Sequence, residues 1–197
     1  MILGIKETFG VMSFALAFVS FSPYLRDIFS RKTTPHIYSW LVWTILQMTA
    51  AVAILQQNSF YSALGVIGLG LVSLVVFILS FRYGTKNITF FDKLCLIGAL
   101  ISIGIWIFTE NATISIILVS IIDFIGFLPT YRKVYQEPYS ETLFLYILSG
   151  LSNFFSLLSI TVYSIESSLY VGSLVITNII MVCITLIRRK NYGNTKG

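Results

Sequence analysis

One carboxylate in this chain stands where a carboxylate is expensive. Asp123 lies inside an apolar run from Ala112 to Tyr131, six residues before Pro129 and so about 9 Å from it along a helix. A charge at that depth faces a cavity or a partner, because burial disfavours its ionised form. Three chemistries suit it: a proton or cation site, a contact to a donor group of a solute, or a hydrogen bond to Ser, Tyr or backbone on a neighbouring helix. Gln47, Asn153 and Asn178 fall midway along other apolar runs. Amides both donate and accept, which suits a neutral solute rich in hydroxyls and equally suits bonding one helix to the next. Trp40 and Trp43 form W-x-x-W, one helical turn apart. They can stack on a sugar or nucleobase ring, or anchor a helix at a membrane interface. Pro23 and Pro129 each remove a backbone hydrogen bond near the end of a run, which makes a hinge or simply ends the helix.

Other reactive residues point away from catalysis. Cys95 and Cys183 sit inside apolar runs without C-x-x-C spacing, which predicts buried free thiols. Thr34 and Pro35 make a helix start, as N-cap and first helical residue, and leave His36 at a loop end. Asn111-Ala112-Thr113 matches a glycosylation sequon but hugs an apolar run, so it is taken as a chance match. The sequence holds no nucleophile–base pair, metal-ligand cluster or phosphate loop. No enzyme, cofactor or metal is expected.

The elements that position these residues follow from composition. Of the 197 residues 56% are hydrophobic and 11% charged, against roughly 25% charged in a soluble domain. So little polar surface requires lipid to cover the rest. Crossing ~30 Å of hydrocarbon takes about 20 helical residues. Seven runs approach that length: Thr8–Leu25, Pro35–Leu55, Phe60–Phe81, Asp92–Thr109, Ala112–Tyr131, Thr142–Ser164 and Ser167–Ile187. The first follows Lys6 and Glu7 without a small-residue cleavage site, so it is read as a span and not as a signal peptide. With seven spans, twelve of the thirteen Lys and Arg fall on one side and only Lys6 on the other. The positive-inside rule then places the N-terminus outside and the C-terminus in the cytoplasm. Clusters between apolar runs explain the net charge of +5, and nucleic acid is not an expected partner.

An internal repeat organises the runs. Shifted by 106 residues, Phe18, Phe21, Pro23 and Arg26 fall on Phe124, Phe127, Pro129 and Arg132, giving F-x-x-F-x-P-x-x-R twice. The same ungapped shift places Trp40 on Tyr146, Gln47 on Asn153, Ser62 on Ser168 and Arg82 on Arg188. Asp123 falls on Ala17, and Asn178 on Val72, so neither belongs to a matched pair. Spans 1–3 thus map onto 5–7 in the same orientation, leaving span 4 as linker. The expected architecture is an all-α membrane protein of two parallel three-helix bundles and a linker helix. Its units are 1–83, 84–110 and 111–190, with a cytoplasmic tail over 191–197.

Three helices, a linker and three more, with a proline at the cytoplasmic end of each unit's first helix and a short basic loop after it, resembles the SWEET and PQ-loop superfamily, as a divergent bacterial-type member. The dipeptide that names it reads Pro23-Tyr24 and Pro129-Thr130 here, so the prolines match and the glutamines are replaced. The resemblance implies a transporter of a small polar, sugar-like solute working by alternating access in a bacterial plasma membrane. It implies hinges at Pro23 and Pro129 and supports Asn178, since such carriers place an asparagine on the third helix of a unit. Gln47, Asn153, Asn178, Trp40, Trp43 and Tyr146 are the expected solute contacts, and Asp123 the expected proton-coupling residue. Two alternatives stand beside this. The W-x-x-W, here in the first unit, is similar to that of PnuC-type nicotinamide riboside transporters, which implies nucleoside or vitamin uptake. A receptor or scaffold that keeps the fold would not transport at all. The expected partners are the solute and the bilayer, with a homo-oligomer left open.

Overall fold

The computed structural model describes residues 4–32, 35, 37–84, 89–109, 111–136, 138–139 and 141–194. Thr34, His36, Lys86, Glu110 and Lys196 lie outside the described residues, as do the side chains of Cys95, Pro129, Arg132 and Lys133. The described chain forms seven helices: α1 (Ile5–Phe29), α2 (Ile37–Gln56), α3 (Phe60–Tyr83), α4 (Phe90–Thr109), α5 (Ala112–Gln136), α6 (Leu143–Leu158) and α7 (Ile165–Asn194). Four of them, α1, α2, α3 and α7, are long and apolar enough to cross a membrane, the mark of an integral membrane protein. Shorter apolar stretches occupy the others: Leu96–Ile105 in α4, Ala112–Leu128 in α5 and all of α6.

Helix ends are set by local chemistry. The Gly4 N–H donates to Glu7 Oε2 at 2.7 Å, placing a carboxylate at the positive end of α1. Asn111 Oδ1 accepts from the Ile114 N–H at 3.0 Å and caps α5, which gives the sequon asparagine a structural role. Ser164 and Ser167 cap each other at the start of α7, at 2.9 and 3.2 Å. The turn between α2 and α3 closes with Asn58 at φ 56°, a left-handed conformation that asparagine tolerates.

Three boundaries depart from expectation. α6 stops at Leu158, so the run to Ser164 is helical for only 16 residues, about 24 Å. The following Ile160-Thr161-Val162 is β-branched and lies outside the helix. Pro35 precedes α2, which begins at Ile37. α7 continues to Asn194, into the segment expected as a tail. Cys183 is exposed, not buried, because the buried stripe of α7 passes through Met181 and Thr185 and turns residue 183 outward.

The packing has a definite order. α3 packs on both α1 and α2, and α7 on both α5 and α6. Between these groups α1 and α3 meet α6, while α5 and α7 meet α2. Exchanging α1, α2 and α3 for α5, α6 and α7 returns the same set of pairs. α4 stands apart from that exchange, against α5 and α2. Contacts fix the directions. Gly10 meets Tyr61 and Gly68 meets Ala17, so α1 and α3 are parallel. Ser13 bonds Ser152 while Ser20 bonds Ser149, so α1 and α6 are antiparallel. Asn178 lies on Gly150 and Arg189 bonds the Glu141 carbonyl, so α6 and α7 are antiparallel. Thr113 bonds Glu166 and Tyr131 bonds the Thr177 carbonyl, so α5 and α7 are parallel. α1 and α5 therefore run the same way.

The junction of α1, α3 and α6 is polar. Ser13 Oγ donates to the Ser152 carbonyl at 2.6 Å, and Ser152 Oγ to the Ser13 carbonyl at 2.7 Å. Ser62 Oγ donates to the Ser156 carbonyl at 2.9 Å, and Ser156 Oγ returns a bond to the Ser62 carbonyl. Such close backbones need glycine opposite them. A Cβ on Gly10 would lie 2.4 Å from the Tyr61 carbonyl oxygen, and one on Gly65 would lie 1.8 Å from Ser13 Oγ. A Cβ on Gly104 would meet nothing within 4 Å. Gly10→Ala is therefore expected to destabilise by roughly 1–3 kcal/mol, whereas Gly104→Ala should gain about 0.5–1 kcal/mol of helix propensity. Thermal melting of the two variants in detergent checks this; equal midpoints would contradict the close approach.

Candidate functional site

The residues singled out in the sequence fall mainly into two features. The first is a column of rings near the ends where α1, α3, α5 and α7 finish. Phe21 and Tyr24 of α1 contact Trp40 of α2, with centroids at 5.6 and 5.2 Å. Trp40 contacts Trp43 at 5.1 Å, and Trp43 contacts Phe127 of α5 at 5.9 Å, which contacts Tyr131 at 5.7 Å. Tyr146 belongs to the same buried cluster, and its hydroxyl donates to Glu141 Oε2 at 3.2 Å. Trp40 is only 4% exposed. Trp40 thus lies inside the bundle with the half-buried Trp43 packed against it, and a membrane-anchor role does not fit Trp40.

Pro23 stands within this column, between Phe21 and Tyr24 in sequence. It lies inside α1, which continues six residues beyond it to Phe29. Residue 129 likewise lies within α5, which continues to Gln136. Neither proline ends its helix. At Pro23 the missing N–H leaves the ladder one bond short, which weakens the helix at the level of the rings.

The second feature is a layer of amides and hydroxyls. Gln47, 8% exposed, accepts from Ser73 Oγ at 3.0 Å, so it bonds α2 to α3. Asn153 is 1% exposed; its Nδ2 donates to the Ser149 carbonyl at 2.8 Å, and its Oδ1 is buried without a hydrogen-bond partner. Ser149 Oγ donates to Ser20 Oγ at 3.3 Å. Asn178 donates to the Leu174 carbonyl at 2.8 Å and rests against Gly150, where an added Cβ would come within 3.1 Å of the Asn178 Cβ. Asn178 thus lies at the α6–α7 contact, Asn153 is bonded within α6, and Gln47 is engaged on α2–α3.

Asp123 occupies a third place. It is 1% exposed, and neither carboxyl oxygen has a hydrogen-bond partner. Tyr170 of α7, fully buried, likewise has a hydroxyl without a hydrogen-bond partner. The reading of Asp123 as a bonded carboxylate at a helix interface does not match this arrangement. Sequence reasoning missed Tyr170, which nothing in its spacing distinguishes from core. It also missed the partners of the α6 serines, although Ser149, Ser152 and Ser156 recur at helical spacing. Among the described residues no group of three or more His, Cys, Asp or Glu could hold a metal ion.

Comparison with protein-family models, with curated proteins and with solved structures found no match.

The Gln47–Ser73 bond makes a direct test of the layer. Ser73→Ala leaves a buried acceptor unpaired and is expected to cost roughly 1–3 kcal/mol. Pairing it with Gln47→Leu should recover most of that loss, as a double-mutant cycle of thermal melts would record.

Proposed function

We propose that this protein is a membrane transporter that moves a small polar solute, sugar-like in its chemistry, by alternating access between two three-helix units joined by α4. The observation that carries this is the packing order, which survives exchange of α1–α3 for α5–α7. In this reading two like units, each carrying amides and aromatic rings, supply what a carrier needs: matched halves that rock, and polar groups on both. Gln47 and Asn153, related by the 106-residue shift, supply donors and acceptors for hydroxyls, with Asn178 alongside. Trp40, Trp43 and Tyr146 offer ring faces. The rings from Phe21 to Tyr131 close the end that the basic loops mark as cytoplasmic. α1 is one hydrogen bond short at Pro23, with position 129 its counterpart in α5, and that is where that end opens. The proposed kinship with the SWEET and PQ-loop superfamily is supported by the repeat and its prolines.

Purified protein screened by thermal shift against sugars, nucleosides and amino acids should respond to one polar class, and Asn153→Ala or Gln47→Ala should remove the response. Ligand at a hundredfold its Kd contributes about 2.7 kcal/mol, a rise of several degrees. A response to nucleosides alone would favour the vitamin-uptake reading, and silence across all classes would favour a receptor or scaffold.

Asp123 carries the coupling proton in this reading. A neutral acid costs little in an apolar setting and a carboxylate costs much, so a change of charge there is tied to the state of the surrounding helices. Asp123→Asn fixes the neutral form. Uptake driven by a pH gradient into proteoliposomes should be lost, while exchange of solute without a gradient survives. Unaltered pH dependence would return Asp123 to a structural part.

A further inference from the structure

Tyr170 heads the fully buried side chains in size and is 0% exposed, yet its hydroxyl has no hydrogen-bond partner. Among the described residues the other orphaned buried side-chain oxygens are both carboxyl oxygens of Asp123 and Oδ1 of Asn153. Buried polar groups are nearly always paired, so two orphans in one neighbourhood call for an account.

The register of α5 against α7 brings Asp123 and Tyr170 to one level. The helices are parallel, and Tyr131 meets Thr177. Asp123 precedes Tyr131 by eight residues and Tyr170 precedes Thr177 by seven, about 12 and 10.5 Å of rise. Asp123 stands one helical turn beyond Val119, which belongs to the same buried cluster as Tyr170. Tyr131 is already committed, donating to the Thr177 carbonyl at 2.9 Å. Tyr170 is the uncommitted donor. Among the described residues the other charged side chains on α4 and α7 stand near helix ends, with Arg188, Arg189 and Lys190 in the last two turns of α7. On α7, Glu166 is engaged by Thr113 at the helix start. On α2 the titratable residue is Tyr38, in the first turn, and on α4 the described charged side chain is Lys93, exposed near the start. Tyr170 itself belongs to an apolar cluster with Val119, Val171 and Leu174.

We propose that Tyr170 is the positioning partner of the proton on Asp123. Both groups are unbonded here, as a neutral carboxyl leaves them, and the hydroxyl closes onto the carboxylate as its donor when Asp123 becomes charged. One proton enters or leaves, always on the carboxyl, and Tyr170 keeps its own by rotating about the C–O bond. A metal cation fits poorly. Hard cations take six or more oxygens, whereas two carboxyl oxygens and one hydroxyl are free here. Ser120, one turn earlier on α5, already donates to the Ile116 carbonyl at 2.7 Å.

This inference rests on Asp123 binding the coupling proton, and infrared difference spectroscopy separates the two claims. The full chain in proteoliposomes is titrated and the protonated carboxyl band followed, with Asp123→Asn assigning it. Tyr170→Phe removes the donor that steadies the charged form. The band should then persist to a pH about one to two units higher and move in frequency. Site-specific difluorotyrosine at 170, a stronger donor that keeps the ring in place, should shift the loss to lower pH, and it serves if the Phe variant fails to fold. A band assigned to Asp123 with midpoint and frequency unmoved by the change at 170 would overturn the role of Tyr170 and leave the proton site standing. A wild-type protein with no band sensitive to Asp123→Asn would overturn the proton site itself.

Discussion

In hydrocarbon, apolar side chains gain nothing by leaving lipid for one another, so helices are held by close packing and by the hydrogen bonds they exchange. The serine bonds between α6 and its neighbours therefore carry unusual weight. Ser152 and Ser156 each trade hydroxyl-to-carbonyl bonds with a serine on another helix, Ser13 on α1 and Ser62 on α3. Each such bond contributes about 0.6 kcal/mol, which is modest singly. Their geometry matters more, because reciprocal bonds to main-chain carbonyls fix both translation and rotation. Gly10 and Gly65 are the condition for it, since a side chain at either would hold the backbones apart.

Everything nearer the centre is referred to that junction. Ser20 and Ser149 extend it to the level of Asn153, whose Nδ2 shares the Ser149 residue as its partner. The amide layer is thus a continuation of the structural bonding of α6 and not an isolated patch. Gln47 and Asn178 are also engaged, with Ser73 and with the Leu174 carbonyl. Under the proposed transport role, a solute that binds these amides trades existing bonds for new ones. Such an exchange favours ligands presenting several hydroxyls at once and discriminates against apolar analogues that would leave the amides unpaired.

The helices were legible in the sequence because length and hydropathy alone locate them: α3 begins at Phe60 and α5 at Ala112, as the apolar runs do. The end of α6 was not, since apolar residues continue past Leu158 in a conformation that hydropathy does not distinguish. Asp123 was visible as a lone carboxylate in a span, but its relation to Tyr170 depends on the register of α5 against α7, which no local pattern encodes. The tryptophans show the opposite case. W-x-x-W announces itself, yet whether it faces lipid or core depends on rotation of α2, and the contacts with Phe21 and Phe127 decide for the core. Cys183 was misplaced for the same reason of rotation, on α7.

The two seams between the halves differ in kind. α1 and α6 are joined through serines and carbonyls, whereas α2 and α5 meet where Trp43 lies on Phe127 and beside Gly126. An alkyl chain cannot replace a reciprocal serine bond, but it can slip beside an indole. Small, mobile detergents will therefore invade the α2–α5 seam first and prise it apart while the α1–α6 spine stays shut. Extraction into bulky, slowly exchanging amphiphiles or native lipid discs is the route by which this molecule reaches the bench with both seams closed.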